Sequence, residues 1–269
     1  MTLDEFDQTH PYPDQVSVKD LYRFMSVDSA ALDHLEDLFL KCKLYHSALS
    51  NFNDPFEGKP NWIIDNPKEL RAHLKRVAIE EGMNKKMAEN HASTVMKNPH
   101  LKEHGKSSMQ KALHEYRICC FTTTQKNLLL WSHYANSHKG ICIEFDSKTS
   151  PILFAQKVDY KDKYPEMKHP GFGDERAMEP LLVKSKIWGY EVEYRIIFKP
   201  GLDDTPQHES SLLLNDPSTI TGIYLGAKIE DEDRDALLSI VQKSKFSPKV
   251  WQAQLSEEAY ELNFELYKP

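Results

Sequence analysis

Two glutamates stand two residues apart in WGYEVEYRII, Glu191 and Glu193, just ahead of the apolar run Ile196, Ile197, Phe198. In an extended strand that spacing puts both carboxylates on one face and Tyr190, Val192 and Tyr194 on the other. Carboxylates so close repel unless a cation, solvent or a ligand hydroxyl separates them. The pair therefore either faces water along an edge strand or binds and activates a substrate. Arg23, in LYRFMS (Leu21 to Ser26), sits between apolar neighbours and is costly to bury unless it meets a carboxylate or an anionic ligand. FTTT (Phe121 to Thr124) sets three hydroxyls at a strand end, which β-propensity alone would also explain. In WSHYANSHKG (Trp131 to Gly140), His133 and His138 are five apart, a spacing that does not put two imidazoles on one helix face. NFNDPFEG (Asn51 to Gly58) reads as a turn whose Asn and Asp side chains hold the loop backbone.

Aiming these groups at one place requires a rigid scaffold. Val18 to Met25 reads as a first strand, and a helix over Ala30 to Leu40 follows an N-cap at Asp28 or Ser29. Lys43 to Ser47 reads as a short strand. Asn66 to Tyr116 changes character: apolar residues fall at helical spacing, with breaks at Gly82 and Asn98–Pro99, which predicts two or three amphipathic helices. Strand character returns in RICCFTTT, GICIEFD, FAQKVDY, EYRIIFK and ITGIYL, with LLLWSHYA and Asp231 to Ser244 as helices and Val250 to Tyr267 as closing strands. Tyr160 to Pro180 is too long for a simple turn and is a candidate mobile loop over a site. Strands punctuated by helices of uneven length predict an α+β fold with a mixed, largely antiparallel sheet. The expected organisation is a lead-in over residues 1–16 and a single domain over 17–269, with a helical insertion at about 66–116.

The 269 residues are 40% hydrophobic and 28% charged, a globular balance. The longest apolar runs fall well short of a membrane span, and the acidic N-terminal residues lack the apolar core of a secretory signal, so a cytoplasmic location is expected. Cys42, Cys119, Cys120 and Cys142 have neither disulfide-framework nor zinc spacing, and read as reduced thiols. The net charge of −7 argues against broad nucleic-acid binding but leaves room for a local cationic pocket. Composition is silent on oligomeric state.

The succession NDPFE, WSHYANSHKGICIEF, WGYEVEYRI and IYLGAKI resembles a widespread bacterial family known as domain of unknown function 2971, over about Leu21 to Ile240. The helical 66–116 region is the part least anchored by that resemblance, which implies no activity by itself. A second resemblance does. Tyr22-Arg23, then Phe121 to Thr124, then Glu191-Val192-Glu193 is similar to the order of motifs in mono-ADP-ribosyltransferases of the arginine–serine–glutamate type, with threonine in place of the serine at Thr122. It implies a split-sheet core and NAD as the substrate of a transferase or a glycohydrolase, with no metal, and for the transferase a protein or nucleic-acid acceptor.

On that resemblance Glu193 would hydrogen-bond a ribose hydroxyl beside the developing oxocarbenium, and Glu191 would orient the acceptor. Thr122 would brace the glutamate, and Arg23 would hold pyrophosphate or ribose. Tyr22, Trp188, Tyr190, Tyr134 and His133 would contact the dinucleotide. Two other readings use the same residues. Asp54, Glu57, Glu144, Asp146, Glu191 and Glu193 are enough carboxylates for a Mg²⁺-dependent nuclease, with Lys75, Arg76, Lys85 and Lys86 as its nucleic-acid contacts. A non-enzymatic module binding a nucleotide or a protein is the third.

Overall fold

The computed structural model describes residues 2–28, 31–168, 175–202 and 205–268. Thr2 and Glu5 cap each other's backbone N–H and so start helix α1 (Leu3–Thr9). Phe6 on this helix and His10 just past it are fully buried, and the His10 Nδ1 lies 2.9 Å from the Lys157 carbonyl. Within the segment expected as a lead-in, residues 2–16 thus include a helix with Phe6 buried and a buried His10 after it. Strand β1 (Asp20–Met25) starts two residues later than VKDLYRFM suggested. Helix α2 (Leu32–Phe39) buries Leu35, Leu38 and Phe39, and the Asp28 carboxylate accepts the Ala31 N–H at 3.2 Å. Ser29 and Ala30, expected as cap and first helical residue, lie outside the described residues.

The predicted strand at Lys43 to Ser47 is two, β2 (Lys43–Tyr45) and β3 (Ser47–Ala48), followed by β4 (Asn61–Ile63). Asn66 and Asn84 then accept backbone N–H groups at the starts of α3 (Pro67–Glu80) and α4 (Lys85–Met96), and α5 (Leu101–His114) completes the insertion. The breaks fall at Gly82 and Asn98–Pro99, as read. Next come β5 (Arg117–Thr122), α6 (Leu128–Tyr134) and β6 (Ile141–Asp146). Between α6 and β6 three successive residues, Asn136, Ser137 and His138, take left-handed φ of 46°, 56° and 70°. Gly140 closes that turn where a Cβ would come within 2.2 Å of the Met25 carbonyl oxygen.

FAQKVDY breaks into β7 (Gln156–Lys157) and β8 (Asp159–Lys161), because the Val158 N–H between them turns to the Glu193 carbonyl at 2.9 Å. Tyr160 to Pro180, expected as a mobile loop, contains the end of β8 and β9 (Glu166–Lys168), and its residues 169–174 lie outside the described residues. Then follow β10 (Val183–Ser185), β11 (Glu193–Phe198), β12 (Ser211–Leu213), β13 (Ile220–Leu225), α7 (Asp231–Gln242), β14 (Lys249–Leu255) and β15 (Leu262–Leu266).

Among the described residues nine strands form one sheet in the order β15-β14-β13-β6-β1-β5-β11-β7, with β3 also on β5. β13 pairs with β14 in parallel and the other pairings in this sheet are antiparallel, so the fold is α+β with a mixed, largely antiparallel sheet. Strand alternation sorts the side chains. Leu21, Phe121, Ile143, Tyr194 and Ile223 face α2 and α7 in the main core, while Tyr22, Cys142, Tyr224 and Trp251 face Trp131 of α6 on the other side. The sheet is split near its middle. β1 meets β5 at one pair, Tyr22 with Thr122, and the same edge of β5 is taken up again by β3 at Ile118 with Ser47. Among the described residues, no helix is long and apolar enough to cross a membrane.

Candidate active site

The split between β1 and β5 opens into a cleft of about 210 Å³. Tyr22, Arg23 and Phe24 line one side, Cys120, Phe121 and Thr122 the other, and Phe52, Asn53, Leu130, Tyr134, Lys184, Glu191 and Glu193 close it. All four chemistry-bearing segments of the sequence thus meet: LYRFMS, NFNDPFEG, WSHYANSHKG and WGYEVEYR. Register explains part of this, because Tyr22, Thr122 and Glu193 are consecutive rungs across β1, β5 and β11 and share one face. Arg23 belongs to the opposite face by alternation, but lies where the sheet parts. Its Nη1 donates to the Tyr45 carbonyl at 3.0 Å and to the Cys119 sulfur at 2.7 Å, bridging the gap. Among the described residues no carboxylate pairs with it, so the expected internal Arg–Glu pair is not made by this arginine.

Arg195 makes that pair. It is fully buried, and its guanidinium donates to Glu57 at 2.9 and 3.0 Å, to Glu193 at 2.8 and 3.0 Å and to the Leu181 carbonyl at 2.7 Å. Lys184 of β10 adds its ammonium at 2.5 Å from Glu191, 3.2 Å from Glu193 and 3.4 Å from Glu57. Three carboxylates thus share two cations in a buried cluster. Burial alone would raise the Glu193 carboxyl, but Arg195 and then Lys184 overcome it and hold it at about 2. Glu191 moves the other way: burial and the neighbouring Glu193 raise it, against the pull of Lys184 and the Tyr134 hydroxyl, which donates at 2.8 Å.

Glu191 and Glu193 do not share a strand, contrary to the spacing argument. Lys186–Glu191 form a 3-10 turn, and Val192 joins it to β11 with φ 45° and ψ 54°. A left-handed β-branched residue is an uncommon, strained conformation, and here it folds the chain so that both carboxylates still reach Lys184. Thr122 braces the backbone rather than a carboxylate, donating to the Glu191 carbonyl at 2.6 Å. The Asn127 amide does the same for the Tyr190 carbonyl at 2.7 Å while its oxygen caps α6. Asp54 accepts the Phe56 N–H at 2.9 Å, so the NDP turn is held as its composition implied.

Not every predicted ligand contact lies here. Trp188, Tyr190 and His133 form an aromatic trio, with centroids 6.0–6.4 Å apart, and none of the three lines the cleft. Trp188 instead borders a second, wider cleft of about 860 Å³, which shares Asn53 and Lys184 with the first. Phe56 and Ile187 stand at this second opening, 61% and 81% exposed. Of the carboxylates named for a metal site, three converge on cations and the others lie apart from them. Asp54 is engaged in its turn, Glu144 takes the Tyr224 hydroxyl at 2.9 Å, and Glu57, Glu191 and Glu193 surround cations. Among the described residues no group of three or more His, Cys, Asp or Glu side chains is placed to hold a metal ion. Lys75 of the insertion is bound to Glu89 at 2.6 Å.

Reading the sequence missed Lys184 and Arg195. The reasoning applied to Arg23 applies more strongly to Arg195, which stands between Tyr194 and Ile196 in an apolar strand, and a lysine directly after Leu181, Leu182 and Val183 carries the same signal. The four cysteines are free thiols, as expected. No family model, no curated protein and no solved structure matches this chain.

Proposed function

We propose that the first cleft takes the nicotinamide–ribose end of NAD and breaks its N-glycosidic bond, passing ADP-ribose to an acceptor or to water. The observation that carries this reading is the row Tyr22, Thr122, Glu193 at the split of the sheet, with Arg23 beside it and Glu191 in the same cleft. A pocket enclosing a whole drug-sized ligand has roughly 300–1,000 Å³. The smaller cleft here suits one ring with its ribose. Arg23, half-buried and without a carboxylate partner among the described residues, fits the phosphate end.

In the proposed reaction the C1′–N1 bond breaks, its electron pair leaves with nicotinamide, and positive charge develops on the ribosyl C1′ and ring oxygen. A carboxylate facing that carbon lowers the barrier, and an acceptor oxygen or nitrogen, or water, then bonds to C1′ and loses a proton. The carboxylate we assign is Glu191 rather than Glu193. Both Glu193 oxygens are occupied by Arg195 and one also by Lys184, whereas Glu191 has one charged partner and a tyrosine hydroxyl. Glu193 keeps Lys184 and Arg195 in place. Membership of the bacterial family of unknown function belongs to the same proposal, since three of the four segments that resemble it supply Asn53, Glu57, Tyr134, Glu191 and Glu193.

The test is nicotinamide release from NAD by purified protein in the presence of chelator. Release is expected to fall about a hundredfold or more in Glu191→Gln, the scale of a lost transition-state contact. Release that vanishes with chelator alone would sink this reading in favour of metal-dependent chemistry. Release untouched in Glu191→Gln would sink the assignment of that carboxylate.

A further inference from the structure

The two cations of the cluster are not equivalent. Arg195 has all five N–H donors committed, to Glu57, Glu193 and a backbone carbonyl, and gives nothing to Glu191. Among the described residues Lys184 is the cation paired with Glu191, at 2.5 Å, and it lines both clefts. Glu191 is faced by Lys184 from β10, Glu193 from β11 and Tyr134 from α6; Glu57, Arg195 and the Tyr160 hydroxyl stand behind these partners.

Lys184 also has somewhere to go. Its ammonium lies 5.0 Å from the centre of the Trp188 ring, at the second cleft, with Glu57 and Glu193 within 3.4 Å. A small swing away from Glu191 would leave it with two carboxylates and an aromatic face.

We propose that Lys184 is a resident counter-ion for Glu191 that a cationic ligand group displaces, so that the first cleft selects a positively charged heterocycle over its neutral counterpart. The exchange is balanced. An arriving pyridinium takes over the pairing with Glu191, while Lys184 keeps Glu57 and Glu193, so no carboxylate is left buried and unpaired. A neutral ring of the same shape gains nothing from Glu191 and leaves Lys184 where it is. The naming of oxidised dinucleotide as the ligand rests on the reading above; the displacement of Lys184 needs only that the cleft takes a ring of this kind.

The experiment compares binding of the N1-methylnicotinamide cation with neutral nicotinamide, by ligand-observed NMR, with oxidised dinucleotide measured in parallel. Removing Lys184 raises the proton affinity of Glu191 further, so the comparison is made at about pH 8. The native protein is expected to prefer the cation. Lys184→Met should widen that preference about tenfold, since the competing ion pair is gone. Lys184→Arg should stay near the native ratio, and Glu191→Gln should abolish the preference. If Lys184→Met does not fold by circular dichroism, Lys184→Gln, which also lacks the competing charge but keeps a polar end for Glu57 and Glu193, takes its place with the same expected widening. An unchanged ratio in Glu191→Gln, a narrowed one in Lys184→Met, or no binding of either ring overturns the proposal. Cation selectivity behaving as stated while the dinucleotide fails to bind would overturn the NAD reading and leave this one standing.

Discussion

Buried charge at this site works because of its partners, residue by residue. An isolated guanidinium in a dry strand would cost several kcal/mol, and Arg195 avoids that cost by matching each donor with an acceptor. The same bookkeeping makes stability pH-dependent. Glu193 is held at about 2, below its ordinary 4.5, so its contribution is complete above pH 4.5 and is lost as pH falls toward 2. Glu191, raised by burial and Glu193, contributes with the opposite sign and in another window: stability is regained as pH falls through its raised pKa toward 4.5, before the Glu193 contribution begins to be lost. His46 acts earlier. It is fully buried beside Phe198, its Nδ1 is 2.8 Å from the Leu44 carbonyl, and burial pushes it from 6.5 to about 3. An unfolded chain takes a proton at this residue below pH 6.5 and the folded chain does not, so stability declines from pH 6.5 downward. His46→Asn, which keeps a donor near the Nδ1 position, should flatten the decline between pH 6.5 and 4.5 in urea titrations. An unaltered slope would assign the decline to other groups, such as His10, which burial also lowers.

At the scale of elements, the site depends on how short segments are tied together. The 3-10 turn carrying Glu191 is a weak element by itself, and Thr122 of β5 and Asn127 at the start of α6 fasten its last two carbonyls. Thr122→Val removes one of these bonds at nearly constant shape. It should cost about 1 kcal/mol in denaturant unfolding and, on the proposed function, lower nicotinamide release, whereas Thr122→Ser keeps the hydroxyl and should retain both. A valine variant with native release would mean that Asn127 alone positions the turn. These ties were hidden in the sequence for a definite reason. FTTT offers three candidate hydroxyls, and only the register of β5 against β1 and β11 selects Thr122.

For the whole molecule, the helical insertion divides in its attachment. α3 and α4 pack chiefly on each other, with Arg71 and Lys75 of one bound to Glu89 of the other. α5 instead joins the body: Leu113 is buried with Leu49, Ile118 and Leu181, and Phe52 of the cleft wall rests on that cluster. Replacing residues 67–96 by a flexible linker should therefore leave a cooperatively folded protein with its cleft intact. Extending the deletion through residue 114 should expose the Leu49–Ile118 cluster and abolish cooperative unfolding, as followed by circular dichroism and thermal melts. Equal tolerance of both deletions would refute this division.

The sequence by itself determined the α+β class, the breaks at Gly82 and Asn98–Pro99 and the segments that carry the site, because these follow from local periodicity, turn chemistry and the cost of burying charge. It also held the signal for Arg195, a guanidinium within an apolar strand, though not its partners. Tertiary structure alone decided that the sheet splits beside Tyr22, that Glu57 crosses from a distant loop to meet Arg195, and that Lys184 stands between two clefts. Alternation along an ideal strand gave the right neighbours to Glu191 for the wrong reason, since a left-handed Val192 replaces the strand there. Pairings across 138 residues, as between Glu57 and Arg195, leave no periodic trace in the chain. They form because a buried charge must find its opposite wherever the fold brings one.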